Sequence, residues 1–123
     1  MIAKLQSISY TSNALQYCER GGQILYSNEC LGSAKQIWNQ MKILEDRNDR
    51  CEKKAFHIKI RIAPEDKSKL TNQDWIDIAK DYSKKIGFEK NLYAVYIHGE
   101  GTSSEHTHIV ASRIQENNLA VPD

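Results

Sequence analysis

Cysteine, proline and glycine are scarce in this chain of 123 residues, which has 3 Cys, 2 Pro and 6 Gly. Each scarcity removes a class of protein. Cys18, Cys30 and Cys51 are odd in number and share no C-x-x-C or finger spacing, so neither a disulfide framework nor a cysteine zinc site is indicated, and reduced, incidental thiols are expected. So few Gly and Pro exclude a collagen-like or low-complexity chain. No apolar run approaches the roughly 20 residues that cross a bilayer. Met1 to Tyr10 also lacks the basic-then-apolar layout of a signal peptide, so a cytoplasmic location with no membrane segment is the expectation. Charge of one sign is missing as well: 17 Lys and Arg face 16 Asp and Glu, a net charge of +1, which argues against a general polyanion binder.

What is present is the composition of one folded domain, 40% apolar and 27% charged. The neutral total hides an asymmetry. Met1 to Pro64 carries 10 Lys and Arg against 6 Asp and Glu, while Glu65 to Asp123 carries 7 against 10. Any nucleic-acid face is therefore expected to be local.

The hydrophobic pattern changes period along the chain. Ile2, Ala3, Leu5 and Ile8 suggest a strand, and Ala14 to Arg20 a short helix begun at Ser12 or Asn13 and stopped by Gly21-Gly22. Tyr26 to Gly32 reads as an irregular link. Ala34, Ile37, Trp38, Met41 and Leu44 then recur at three- and four-residue steps, one apolar stripe of a helix, and Asp46 to Lys54 follows as a solvated loop. Phe56, Ile58, Ile60 and Ile62 alternate with His57, Lys59 and Arg61 as far as Pro64, a strand with one apolar and one cationic face. Thr71 and Asp74 open a helix whose face is Trp75, Ile78, Ala79, Tyr82 and Ile86 and whose end is Gly87. Leu92 to His98 and His106 to Ile114 complete the set as two strands of an antiparallel hairpin. The expected architecture is α+β, an antiparallel sheet with its helices packed on one face and the other left free for a polar site.

Three of the four histidines fall within eleven residues, on that hairpin. Side chains alternate along a strand, so His106 and His108 share a face while Thr107 points away. His98 ends the preceding strand and returns opposite the start of the next. Three neutral imidazoles brought together suit a divalent metal with positions left open for substrate. Scattered surface histidines are the plainer reading of any one of them, and the clustering argues against it for the three. Glu100 and Glu105, in the connecting loop, are candidates to hold an imidazole N–H or to add a ligand. His57, Lys59 and Arg61 form a second polar set, either phosphate contacts beside the histidines or a solvated strand face. Tyr96 should share the face of His98, as a base-stacking ring or as packing.

The stretch from Tyr96-Ile-His98 through Glu105-His106-Thr-His108-Ile-Val resembles the metal motif of the relaxases, or mobilisation nucleases, of the HUH endonuclease superfamily, in which a first His precedes a His-hydrophobic-His pair on a hairpin. Met1-Ile-Ala-Lys followed by Leu15-Gln-Tyr17, the strand Phe56-His57-Ile-Lys-Ile-Arg-Ile-Ala-Pro64-Glu-Asp-Lys and the helix from Leu70-Thr-Asn-Gln-Asp-Trp75 to Ile86-Gly87 agree in order and distance. Thr107 stands where relatives carry a hydrophobic residue, and Glu100 and Glu105 stand where they carry Asp and Pro.

The resemblance implies an HUH, ferredoxin-like palm and an enzyme that nicks one strand of DNA at a plasmid or transposon transfer origin, for conjugative mobilisation. It implies Tyr17 as nucleophile, a covalent 5′-phosphotyrosine and a free 3′-hydroxyl, with Mg²⁺ or Mn²⁺ at His98, His106 and His108. Single-stranded origin DNA and accessory mobilisation proteins are the implied partners. Tyr10 and Tyr26 lie near enough in sequence to compete with Tyr17 for the nucleophile's role. Relaxase domains are typically longer, so residues 1–123 are expected to be an N-terminal fragment. Two other readings remain at this stage: a non-catalytic relative that binds single-stranded DNA, and a hydrolase using metal-bound water.

Overall fold

A computed structural model describes residues 1–63 and 69–123. The chain order is β1 (Ile2–Ile8), α1 (Thr11–Gly21), β2 (Gly22–Asn28), α2 (Ala34–Glu45), β3 (Ala55–Arg61), α3 (Asn72–Ile86), β4 (Tyr93–His98) and β5 (His106–Ser112). The strands form a single five-stranded sheet in the order β1-β3-β5-β4-β2, and every neighbouring pair is antiparallel. The α+β antiparallel architecture is therefore as expected. No described helix is long and apolar enough to cross a membrane.

Local chemistry explains the helix ends. Ser33 and Gln36 form a capping box at the start of α2, and Thr71 and Asp74 form another at α3, each satisfying otherwise orphaned N–H groups. Gly87 closes α3 at φ 108, a left-handed conformation that glycine adopts without a Cβ clash. The strand of Phe56, Ile58 and Ile60 ends at Arg61; the stop read at Pro64 lies outside the described residues.

Two expectations need correcting. Gly22–Asn28, where the sequence suggests a helix stop at Gly22 and an irregular link from Tyr26, is an edge strand. Its alternation is broken by a register shift between Ile24 and Tyr26, where a bulge turns side chains out of phase. The helices, moreover, cover both faces of the sheet. Trp75 and Ala79 of α3 pack on Phe56, Ile58, Ile60, Val95, Ile97 and Ile109. Leu15 and Cys18 of α1 and Ile37 and Met41 of α2 pack on Ala55, Ala94, Tyr96 and Val110, which are residues of the opposite parity. The cause lies in β4, all six residues of which are buried. A strand that is apolar on both sides needs cover on both. The site consequently lies at one end of the face that α1 and α2 cover, against the last turns of α1.

The two cores predict unequal costs of truncation. Ile109 is fully buried and Leu31 is 77% exposed. Ile109→Ala should lose about 2–5 kcal/mol of unfolding free energy, and Leu31→Ala less than about 0.5 kcal/mol, as read by urea titration; equal losses would contradict the assigned core.

Candidate metal centre

The centre is assembled by register. In the β4–β5 ladder His98 is opposite His106 and Tyr96 is opposite His108; in the β3–β5 ladder Lys59 is opposite His108 and Arg61 opposite His106. His98, His106 and His108 thus share one face, with ring centroids 4.4 Å apart for His98 and His108, 5.0 Å for His106 and His108, and 5.3 Å for His98 and His106. One ring nitrogen from each lies within 4.8 Å of those of the other two.

Each ring is held by its other nitrogen. His98 Nε2 is 2.9 Å from the Cys18 carbonyl and His106 Nδ1 is 2.7 Å from the Ser104 carbonyl. A carbonyl only accepts, so both nitrogens carry their proton and donate it. This leaves the lone pairs of His98 Nδ1 and His106 Nε2 free. His108 Nδ1 is 2.8 Å from His57 Nε2, and His108 Nε2 is buried with no hydrogen-bond partner among the described residues. Buried polar atoms ordinarily find partners, and an orphaned imidazole nitrogen beside two free lone pairs is what a cation ligand set requires. With Nδ1–H donated to His57, the His108 Nε2 lone pair joins the other two. The residues therefore fit a divalent ion.

Burial favours the neutral form of His57, His98 and His108. Desolvation is the largest cause of the lowered pKa of His57, of His98 and of His108, the last falling to about 3; neighbouring imidazoles push each of them in the same direction. Neutral imidazole is the ligating form.

Helix α1 supplies the rest of the site. Its last turns carry the Cys18 carbonyl and place the Tyr17 ring 5.9 Å from the rings of both His98 and His108. Tyr17 is half exposed. Gly21 and Gly22 do more than stop the helix: a Cβ on Gly21 would lie 2.8 Å from His98 Cε1, and one on Gly22 would run into the Ile97 carbonyl and His98 Cδ2. Only glycine lets the α1–β2 corner close on the imidazole.

The other candidate residues divide. Lys59 and Arg61 are exposed on the histidine face, and His57, read as a phosphate contact, instead reaches His108. Glu100 is exposed, and no imidazole in the described bonds is held by either glutamate; carbonyls and His57 take that part. Glu105 faces α3, where its carboxylate accepts from Trp75 Nε1 at 2.8 Å and from the Gly101 N–H at 2.8 Å. Tyr10 lies beside Tyr17 along an exposed groove. Tyr26 is on the α3 side, with its ring 5.9 Å from that of Tyr93. Tyr96 is buried in the α1–α2 core, so it packs and does not present a face to a base. Two members were missed in the sequence. Lys4, opposite Lys59, extends the cationic row, and Cys18 places Sγ 3.9 Å from His57 Nε2. Their signal was register and tertiary packing, to which spacing along the chain is blind.

Residues 10–122 match the family described as "Relaxase: MobA/VirD2-like, nuclease domain". No curated protein matches the chain.

The lowered His108 pKa fixes the sign of a pH dependence. Between pH 6.5, the ordinary histidine value, and about 3, the unfolded chain takes up a proton that the folded one refuses. Without metal, stability should therefore fall as pH drops through this window. Urea unfolding across a pH series should show a shallower fall for His108→Gln, and parallel profiles would contradict the assignment.

Proposed function

The chain belongs to the relaxases, as a MobA/VirD2-like nuclease domain, and on that premise we propose that it nicks one DNA strand at a plasmid or transposon transfer origin with Tyr17 as nucleophile. The observation that carries this reading is the Tyr17 ring at 5.9 Å from both His98 and His108. A phosphate bound at the imidazoles would lie against the phenol.

Tyr17 is suited to the work by position. Its oxygen attacks phosphorus in line, the bond to the 3′-oxygen breaks, and the products are a 5′-phosphotyrosine and a free 3′-hydroxyl. Half exposure leaves its hydroxyl proton a path to solvent. His98, His106 and His108 would hold a divalent ion, Mg²⁺ or Mn²⁺, which when bound would act as a Lewis acid towards the phosphate. His57 and the two carbonyls hold the imidazoles in the required tautomers. The covalent adduct retains the energy of the broken bond, so the 3′-hydroxyl can reverse the step and rejoin the strand.

Lys4, Lys59 and Arg61 give the strand its track. Lys4 and Lys59 are directly opposite each other and exposed, an arrangement of like charges that costs up to about 1 kcal/mol in a bare sheet. A bound phosphate backbone offsets that repulsion. This row begins at His106 and His108 and runs to the β1 edge, so single-stranded DNA lying along it meets the metal centre at one end.

Incubation with single-stranded origin DNA and Mn²⁺ should give an adduct that survives denaturant, absent in Tyr17→Phe and reduced at least about 100-fold in His108→Ala, as seen by gel shift. An adduct formed equally well by Tyr17→Phe would remove Tyr17 from the chemistry. Salt-sensitive binding with no adduct in the parent chain would leave a DNA-binding relative. Lys59→Ala should weaken DNA binding without preference for sequence and lower the salt slope by about 1.

A further inference from the structure

The Cys18 thiol takes no part in the reaction just described, yet it completes a second cluster. Its side chain is fully buried on the inner side of α1, and Sγ lies 3.9 Å from His57 Nε2. The same nitrogen is 2.8 Å from His108 Nδ1. One donor atom from each of Cys18, His57 and His108 falls within 4.8 Å of the other two. A tetrahedral zinc ion, with Zn–S about 2.3 Å and Zn–N about 2.0–2.1 Å, holds sulfur and nitrogen roughly 3.5 Å apart and two nitrogens roughly 3.3 Å apart. The Cys18–His57 and His57–His108 separations of 3.9 and 2.8 Å lie on either side of those values, within roughly half an ångström, and the Cys18–His108 pair lies within 4.8 Å.

We propose that Cys18, His57 and His108 form a second cation site, taking a thiophilic divalent ion such as Zn²⁺ or Cd²⁺, whose occupation withdraws His108 from the three-histidine centre. The donor set selects the ion. Thiolate favours Zn²⁺ and Cd²⁺ over Mg²⁺ and Mn²⁺, which prefer harder ligands. An entry path exists as well. His57 is only half-buried and lines, with Tyr10, Asn13, Ala14, Tyr17 and Arg20, an open groove of about 490 Å³. The fourth coordination position would face that groove.

Proton accounting makes the two sites exclusive. Binding releases the Cys18 thiol proton to solvent. His57 Nε2 stops accepting from His108 and gives its lone pair to the ion. The His108 proton moves from Nδ1 to Nε2, because Nδ1 is now a ligand. A ring protonated at Nε2 has no lone pair left for the centre it shares with His98 and His106. A thiophilic metal therefore switches the three-histidine centre off, a consequence that rests on the reading of that centre given above.

The test needs neither DNA nor turnover. Cadmium added to the parent chain should produce a saturable thiolate-to-cadmium charge-transfer band of one equivalent. The band should vanish in Cys18→Ala and need at least about ten-fold more cadmium in His57→Gln, whose partly exposed position guards against a folding defect at the buried thiol. In protein preloaded with Mn²⁺, the free-ion paramagnetic resonance signal should grow in step with the band. A band of unchanged size and affinity in Cys18→Ala, arising from Cys30 or Cys51, would overturn the site. So would the absence of any band in the parent chain. Manganese retained as the band saturates would overturn the exclusivity. Failure of the parent chain to bind manganese at all would instead count against the three-histidine centre, and absence of a DNA adduct against the role of Tyr17; neither would alter the cadmium result.

Discussion

The backbone register between β4 and β5 is the constraint on which the centre depends. Because successive side chains of a strand alternate, pairing His98 with His106 and Tyr96 with His108 puts three imidazoles on one face and Thr107 on the other. A slip of one residue would exchange them. Two cores prevent it. Ile97 and Ile109 are locked beneath α3 on one side, and Ala94, Tyr96 and Val110 beneath α1 and α2 on the other. The apolar interior of the hairpin thus fixes the position of its polar end, and burial favours the uncharged form of His98 and His108.

Helix α1 completes what the hairpin begins. Two adjacent residues act through different parts of the chain: Tyr17 through its ring, poised over His98 and His108, and Cys18 through its carbonyl, which fixes the His98 tautomer. Their approach depends on Gly21 and Gly22, where the helix turns into β2 against the His98 ring. Tyr17 and the three imidazoles are therefore joined by a short path along the chain, and the geometry between them is set by packing.

Legibility in the sequence followed range. The histidine hairpin, the capping box at Thr71 and Asp74, and the α3 stripe from Trp75 to Ile86 are local patterns with a fixed period, and all were visible. Strand β2 was not, because Gly22–Asn28 is an edge strand with a bulge that breaks alternation. Cover on both faces was hidden too, since β4 reads as one short apolar run whether one side of it or both are buried. The His57–His108 hydrogen bond joins residues 51 apart and the Cys18–His57 contact residues 39 apart; no spacing rule encodes either. Glu105 was placed with the histidines because it precedes His106, but strand parity turns it towards Trp75.

The family match and the geometry meet in one claim: three imidazoles, each anchored through one nitrogen, offer the other to a single ion beside Tyr17. Nitrogen-15 spectra of the imidazole rings, recorded before and after titration with diamagnetic Mg²⁺, address it most directly. Without metal, the proton should reside on Nε2 of His98 and on Nδ1 of both His106 and His108. Added ion should shift His98 Nδ1, His106 Nε2 and His108 Nε2 together, saturating at one equivalent. The opposite tautomers, or shifts confined to one ring, would contradict the shared centre.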